Sequence, residues 1–332
     1  MTSEKRTSGR QAARARDMEA VGSDAPIFIV GAPRSGTTLL QYMLRSHPNI
    51  SLPTGESHFF IPFQRAAASF GDLSVRANMQ RCLEEAWRRR GEFLETDFHG
   101  LRFDVEALAD RLLREGRTTV AEVIRGLYEA NAAGEGKGRW GEKTPYYILH
   151  TDLIRQMFPD AVFVHVIRDG RDVALSMLER RYDLGIHNIR DAAETWAKYV
   201  RAGLDAERHL GPGRWRTLKY ESLLREPKAT VSRLCGFLGE PFSEAVIDFR
   251  KAGETGKTPL LQKPLQQTNL EKWRTRMSAW QRAMFEHVAG DTMRAVGYEV
   301  DNRWRGAAWL AGPGYLVHSK WLARSGRGGR RQ

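Results

Sequence analysis

The run Gly31-Ala32-Pro33-Arg34-Ser35-Gly36-Thr37-Thr38 joins an apolar strand-like stretch, Pro26 to Val30, to an apolar helix-like stretch that opens with Leu39 and Leu40. A glycine loop between strand and helix turns backbone N–H groups and the positive end of the helix dipole toward one point. That arrangement cradles a phosphate, and Arg34, Ser35, Thr37 and Thr38 add a cation and hydroxyl donors to it. The glycine spacing is that of a Walker A loop, but Thr37 stands where a nucleotide hydrolase carries its lysine. Phosphoryl transfer of the P-loop kind also needs a magnesium site completed by an acid at a strand end. The later apolar run, Ala161 to Ile167, ends instead in Arg168. Transfer of a less charged group, handled by arginines without a metal, fits better. A phosphoryl-transfer enzyme with an unusual Walker loop is the enzymatic alternative, and a nucleotide-binding module without turnover is the other.

Pro33-Arg34-Ser35-Gly36-Thr37-Thr38 resembles the 5′-phosphosulfate loop of sulfotransferases that use 3′-phosphoadenosine 5′-phosphosulfate (PAPS). The second motif of that family has its counterpart in Val166-Ile167-Arg168-Asp169-Gly170-Arg171-Asp172-Val173-Ala174-Leu175-Ser176. There a buried strand ends in Arg-Asp, and a serine eight residues past the arginine joins it on the 3′-phosphate. The resemblance gives these roles to Arg168 and Ser176. The wording of both motifs is closest to the branch that includes the tyrosylprotein sulfotransferases and bacterial relatives, in which an arginine at the place of Arg180 also reaches the phosphate. The motifs stand in the right order about 130 residues apart, and weaker echoes run from about residue 26 to about residue 300.

The same resemblance implies the catalytic groups. The branch carries its glutamate shortly after a His-Pro dipeptide, and here His47-Pro48 is followed by Gly55-Glu56, so Glu56 is the expected base. The spacing differs by one or two residues from the relatives, and His58 is the rival base, since histidine titrates near neutrality. Lys143 stands where the branch has a lysine that stabilises the transition state; the plain alternative is a solvated loop charge paired with Glu142. Tyr220, in Lys219-Tyr220-Glu221, resembles the tyrosine that borders the adenine, with a core tyrosine as the alternative. Lys272, beside Trp273, is an expected phosphate contact in a loop that closes over the nucleotide. The serine expected there has no unique counterpart, Thr255 and Thr258 both being possible. The implied activity is transfer of a sulfuryl group to a hydroxyl, less favourably an amine, with PAPS as co-substrate and no metal.

To position these groups the chain needs an α/β fold of P-loop type: three layers, a central mainly parallel sheet between helices, and a helical insertion. Strands are expected near 26–31, 161–167 and 214–219, and helices to about Ser46 and over 146–158, 169–181, 191–210 and 227–238, the last with Pro227 in its first turn. Residues 47–58 read as a loop from their prolines, glycine and polar side chains. Residues 59–133 alternate apolar and charged positions at helical spacing, and are expected to form much of the acceptor wall. Strands separated by helices put ligands at the carboxyl edge of a parallel sheet.

The chain has 332 residues, 41% hydrophobic and 28% charged, enough for one large core. The expected division is a disordered tail over 1–24, a sulfotransferase domain over 25–301 and a basic, aromatic-containing arm and tail over 302–332. The formal charge of +12 is concentrated in that last segment, which holds seven arginines and lysines and no acid. A basic tail is a poor argument for nucleic-acid binding when a bis-phosphate ligand already asks for arginines. Trp304, Trp309, Tyr315 and Trp321 beside basic residues could make a peripheral membrane contact, but Gly312-Pro313-Gly314 breaks a continuous helix, and an arm packed on the domain is the preferred reading. Cys82 and Cys235 form no disulfide or zinc pattern, and no signal or membrane-spanning run is present. The expectation is a cytoplasmic, plausibly bacterial enzyme acting on a small-molecule, carbohydrate, lipid or peptide acceptor. His165, inside an apolar strand, is expected to be a satisfied core residue.

Overall fold

The computed structural model describes residues 24–89, 101, 103–179, 185–249 and 269–301. Nearly all of the expected tail, the C-terminal arm, Arg180, Thr255 and Thr258 lie outside the described residues.

Five strands form one sheet in the order β2-β3-β1-β4-β5, every pair parallel: β1 (Ile27–Gly31), β2 (Ile50–Ser51), β3 (Arg139–Lys143), β4 (Val162–Ile167) and β5 (Trp215–Lys219). Strands β1 and β4 are buried on both faces, which is why they read as near-continuous apolar runs. Alternation divides their side chains between two layers. Ile27, Ile29, Val162, Val164 and Val166 meet Leu40, Met43 and Leu44 of α1 (Thr37–Arg45) and Val231, Leu234 and Leu238 from the helix Pro227–Leu238. Phe28 and Phe163, with ring centroids 5.5 Å apart, face the other way toward Phe60, Tyr128, Trp140 and Phe158.

That second layer includes the insertion between β2 and β3. It is helical where described: α2 (Phe60–Arg65), a 3₁₀ turn at Ala67–Phe70, α3 (Arg76–Arg89), α4 (Val105–Arg114) and α5 (Val120–Gly134). A capping box starts α5: Thr119 Oγ1 accepts from the Glu122 N–H, and a Glu122 carboxylate oxygen accepts from the Thr119 N–H. After β3 come a 3₁₀ segment, Pro145–His150, and α6 (Thr151–Met157). Then α7 (Gly170–Glu179), α8 (Ile189–Leu210) and, beyond β5, α9 (Tyr220–Arg225), α10 (Pro227–Leu238), the short α11 (Trp273–Arg276) and α12 (Ala279–Ala295) complete the described chain. Helices α7, α8 and α12 share a third cluster around Trp196 and Phe285.

Three expectations are corrected. The loop over 47–58 contains β2, which pairs Ile50 and Ser51 with Arg139 and Trp140. Residues 139–143, where no strand was expected, form a wholly buried strand. Arg-Trp-Gly-Glu-Lys shows no apolar run because its charged side chains are buried against tertiary partners, although Arg139 Nη2 and Trp140 Nε1 have none among the described residues. The Arg139 guanidinium, 0% exposed, donates to Ala25 O at 2.6 Å, to Leu238 O and to Glu240 at 3.3 Å. His165 is buried as expected but not satisfied: neither ring nitrogen has a partner among the described residues. The ring instead fills the space beside Gly203 of α8, where an added Cβ would lie 2.2 Å from its Cε1. No described helix is long and apolar enough to cross a membrane.

Candidate functional site

Because all strands run the same way, their carboxyl ends share one edge, and four of them deliver predicted residues there. β1 leads to Arg34, β3 ends in Lys143, β4 leads to Arg168 and β5 to Tyr220. The chain leaves β1 toward β3 and later crosses to β4 on the opposite side, so β1 and β4 flank a topological switch point, the usual crevice for a ligand in such sheets.

The loop after β1 turns through a Ser35 N–H to Ala32 O hydrogen bond and enters α1, which has no side-chain cap and no acid in its first turn. Gly36 has φ 97°, and a Cβ there would lie 2.2 Å from the Tyr220 ring. Glycine is required by backbone and by neighbour together. Arg34 is held at φ 71° and donates from Nε to Ser176 Oγ at 3.1 Å. The two motifs found in sequence therefore touch. Thr37 is buried and Thr38 half-buried.

Arg168 is buried beneath three partners. Its Nη2 donates to Asn269 O at 2.7 Å and reaches Asp172 at 3.4 Å, and its guanidinium lies 4.6 Å from the Tyr220 ring centroid. The face of Tyr220 toward Arg168 is thus a cation–π contact. The indole of Trp196 donates to Arg168 O at 3.1 Å and pins the strand end. Asp172 also accepts the Trp273 N–H at 2.9 Å, which brings the segment beginning at Lys272 against the Arg168 group. Burial, only partly offset by the Arg168 charge, raises the Asp172 carboxyl above its ordinary value.

Glu56 joins the edge from the loop before α2. Its Oε1 accepts from Lys143 Nζ at 2.7 Å and its Oε2 lies 3.0 Å from His58 Nε2. Lys143 is 3% exposed and the Glu56 side chain 30%. Burial pushes the Glu56 carboxyl up, but the Lys143 charge, with hydrogen bonds from His58 and Lys143, outweighs it and holds the pKa at about 2. The alternative of Lys143 as a solvated loop charge paired with Glu142 is corrected: Lys143 is buried and its partner is Glu56. Glu56 and His58, weighed as rival bases, share a hydrogen bond.

Sequence reasoning missed two supports. Buried Gln41 of α1 donates from Nε2 to Pro53 O at 2.6 Å and Gly55 O at 3.2 Å, stapling the approach to Glu56 onto the helix that opens at the anion loop. An amide on the apolar face of a helix was the available signal. Glu142 is the other. His47 is structural, bonding Pro241 O at 2.8 Å and receiving the Asn49 N–H at 3.1 Å. Among the described residues, the non-glycine positions with positive φ are Arg34, His58 and Glu271, at 71°, 47° and 55°. Each sits in a loop at or beside this edge, where strain concentrates in functional sites.

Ser35 Oγ and Arg168 Nε are among the buried groups that have no protein partner in the described residues. Orphaned donors at an uncapped helix start and on a buried guanidinium fit phosphate or sulfate oxygens. These groups stand on the carboxyl edge of an all-parallel α/β sheet, the edge at which such folds receive their ligands. The Sulfotransferase family model matches residues 26–244, and the chain belongs to that family.

Protein-tyrosine sulfotransferase 2 of Gallus gallus is 25% identical over 286 residues, spanning 82% of this chain and 66% of the relative. The protein-tyrosine sulfotransferase of Drosophila melanogaster is 24% identical over 224 residues, 67% of this chain and 39% of the relative. The chain thus spans less than two thirds of the length of these curated relatives. Among solved structures, the sulfotransferase domain of the Synechococcus PCC 7002 olefin synthase matches with a TM-score of 0.58 and 23% identity, over 84% of this chain and 97% of that one. The sulfotransferase domain from the curacin biosynthetic pathway gives 0.58, 22%, 84% and 99%. These two likenesses bear on the fold.

Proposed function

We propose that this chain transfers the sulfuryl group of PAPS to an acceptor hydroxyl without a metal. The observation that carries the reading is the contact between Lys143 and Glu56, 2.7 Å apart, on the sheet edge that also holds the Arg34 loop. A cation and a carboxylate side by side there supply the two things the reaction needs, charge neutralisation and a proton acceptor.

The acceptor oxygen forms its bond to sulfur as the bond from sulfur to the bridging oxygen breaks. The acceptor proton passes to Glu56, and 3′-phosphoadenosine 5′-phosphate (PAP) leaves. Arg34 and Lys143 neutralise charge on the sulfuryl and bridging oxygens. Ser35, Gly36, Thr37 and Thr38 hold the 5′ group, Arg168, Ser176 and Arg180 the 3′-phosphate; Tyr220 borders the adenine and Lys272 adds a phosphate contact. A carboxylate at pKa about 2 is a weak base while Lys143 is bonded to it. As Nζ turns to the bridging oxygen, the strongest influence lowering that pKa is withdrawn and Glu56 becomes the better proton acceptor.

Acceptors of small-molecule, carbohydrate, lipid or peptide kind are all compatible with this chemistry, and nucleic acid is not proposed. Cys82 and Cys235 are free, buried thiols, which suits a reducing, cytoplasmic compartment. Calorimetric titration of PAP, adenosine 5′-phosphate and ATP, without and then with magnesium, tests the donor half. Preference for PAP without metal is expected; ATP binding that appears only with magnesium would replace sulfuryl by phosphoryl transfer.

A further inference from the structure

Strand β3 presents Lys143 to Glu56 and Glu142, one residue earlier, to the opposite side, as strand alternation requires. Glu142 is 3% exposed, and the groups that donate to it are uncharged. Tyr128 Oη donates to Oε2 at 2.7 Å, Thr144 Oγ1 to Oε1 at 2.5 Å, and the Ser57 backbone N–H to Oε1 at 3.2 Å. The same N–H reaches Thr144 Oγ1 at 2.9 Å. That N–H belongs to the peptide unit joining Glu56 to Ser57. Glu142 and Thr144 therefore grip the main chain immediately after Glu56. A second hold follows: Ser57 Oγ is hydrogen-bonded to Tyr147 Oη at 2.6 Å, which accepts the Phe60 N–H at 3.1 Å. Between the two holds lies His58 at φ 47°.

A buried carboxylate is costly to desolvate, and a neutral side chain would fill the same volume. What ionisation adds is hydrogen-bond strength, since bonds to a charged acceptor are roughly twice as strong as neutral ones. Burial, then the charge of Glu142, raises the Tyr128 phenol well above its ordinary value, so it stays a donor. Tyr128 lies on α5 of the helical insertion, at the far side of this clamp from Glu56.

We propose that Glu142, held by Tyr128, is a positioning residue that sets the Glu56–Ser57 peptide and with it the aim of the Glu56 carboxylate. The inference rests on the reading of Glu56 as the base. It predicts a separable defect in which turnover falls while donor binding is kept, because the anion loop, Arg168 and Tyr220 lie outside the clamp.

The test compares Glu142→Ala, Glu142→Gln and Tyr128→Phe with the full wild-type chain by three readouts. These are PAP affinity by calorimetry, PAP release from PAPS with 4-nitrophenol or water as acceptor, and amide hydrogen exchange over residues 56–60. In Glu142→Ala, PAP affinity should stay within about twofold, release should drop about 100-fold and exchange over 56–60 should quicken at least tenfold. Glu142→Gln, which keeps one acceptor oxygen but loses the charge, should recover only part of the loss, and Tyr128→Phe, the milder variant, should show about a tenfold drop. Unchanged exchange over 56–60 in Glu142→Ala and Tyr128→Phe, or affinity lost in step with release, would overturn the proposal. If the wild type neither binds PAP nor releases it, the sulfotransferase reading fails, whereas the exchange readout still decides the clamp.

Discussion

Glu56 and Lys143 are 87 positions apart in the chain and 2.7 Å apart in the fold, with the lysine buried and the carboxylate facing the open side of the edge. Burial raises the carboxyl's pKa, and the lysine is the largest influence that holds it down. The lysine needs the carboxylate because an unpaired buried ammonium is costly.

Replacing Lys143 by Met should move the Glu56 titration from about 2 to above the ordinary carboxylate value of 4.5, since the burial contribution is then opposed only by His58. Carboxyl carbon NMR on labelled protein checks this. A titration that stays near 2 would show that Lys143 does not set it. Glu56→Gln should retain PAP affinity and lower PAP release from PAPS at least 100-fold.

Arg168→Ala should weaken PAP by about tenfold or more while affinity for adenosine 5′-phosphate changes little, since only the former carries a 3′-phosphate. Ser176→Ala removes the Arg34 Nε partner at 3.1 Å and should show a smaller loss, about fivefold. Equal losses for both nucleotides in Arg168→Ala would place the arginine elsewhere on the ligand.

Gly36→Ala introduces a Cβ 2.2 Å from a Tyr220 ring carbon at φ 97°. Strain and overlap together should cost about 3 kcal/mol and abolish PAP binding. Adding Tyr220→Leu should restore part of the thermal stability by removing the overlap, but not the backbone strain. Differential scanning calorimetry of the three proteins separates these contributions.

Burial holds the His165 pKa at about 3, against 6.5 for the ordinary side chain. Below pH 6.5 the unfolded chain binds a proton there that the folded chain refuses, so the stability contribution is full above 6.5 and lost as pH falls toward 3. Between pH 7 and pH 5 this amounts to about 2 kcal/mol. His165→Phe should flatten that part of a urea-denaturation series; an unchanged slope would mean the ring is protonated in the fold.

The strand-turn-helix units at Gly31–Thr38 and at Arg168 were legible in the sequence because their geometry is local. A strand of β-branched and aromatic residues, a turn and a helix start follow one another within a dozen positions, so no distant partner is needed to recognise them. The sheet's two central strands were legible for a related reason, since burial on both faces leaves an unbroken apolar run. Strand β3 was not, because Arg139, Glu142 and Lys143 are buried by virtue of partners at Ala25, Glu240, Tyr128 and Glu56, and no local pattern announces them.

The sequence by itself determined the parallel α/β class and the glycine turn by which the chain passes from β1 into α1. Tertiary structure alone decided how the residues of the edge meet. It gave Lys143 to Glu56 rather than to Glu142, turned Glu142 toward Tyr128 and the Ser57 amide, joined Arg34 to Ser176, and stapled the Glu56 loop to α1 through Gln41. Those pairings depend on β3 lying beside β1 and on β4 lying at its other side. That order is settled by the packing of whole layers, and neighbouring residues in the chain carry no trace of it.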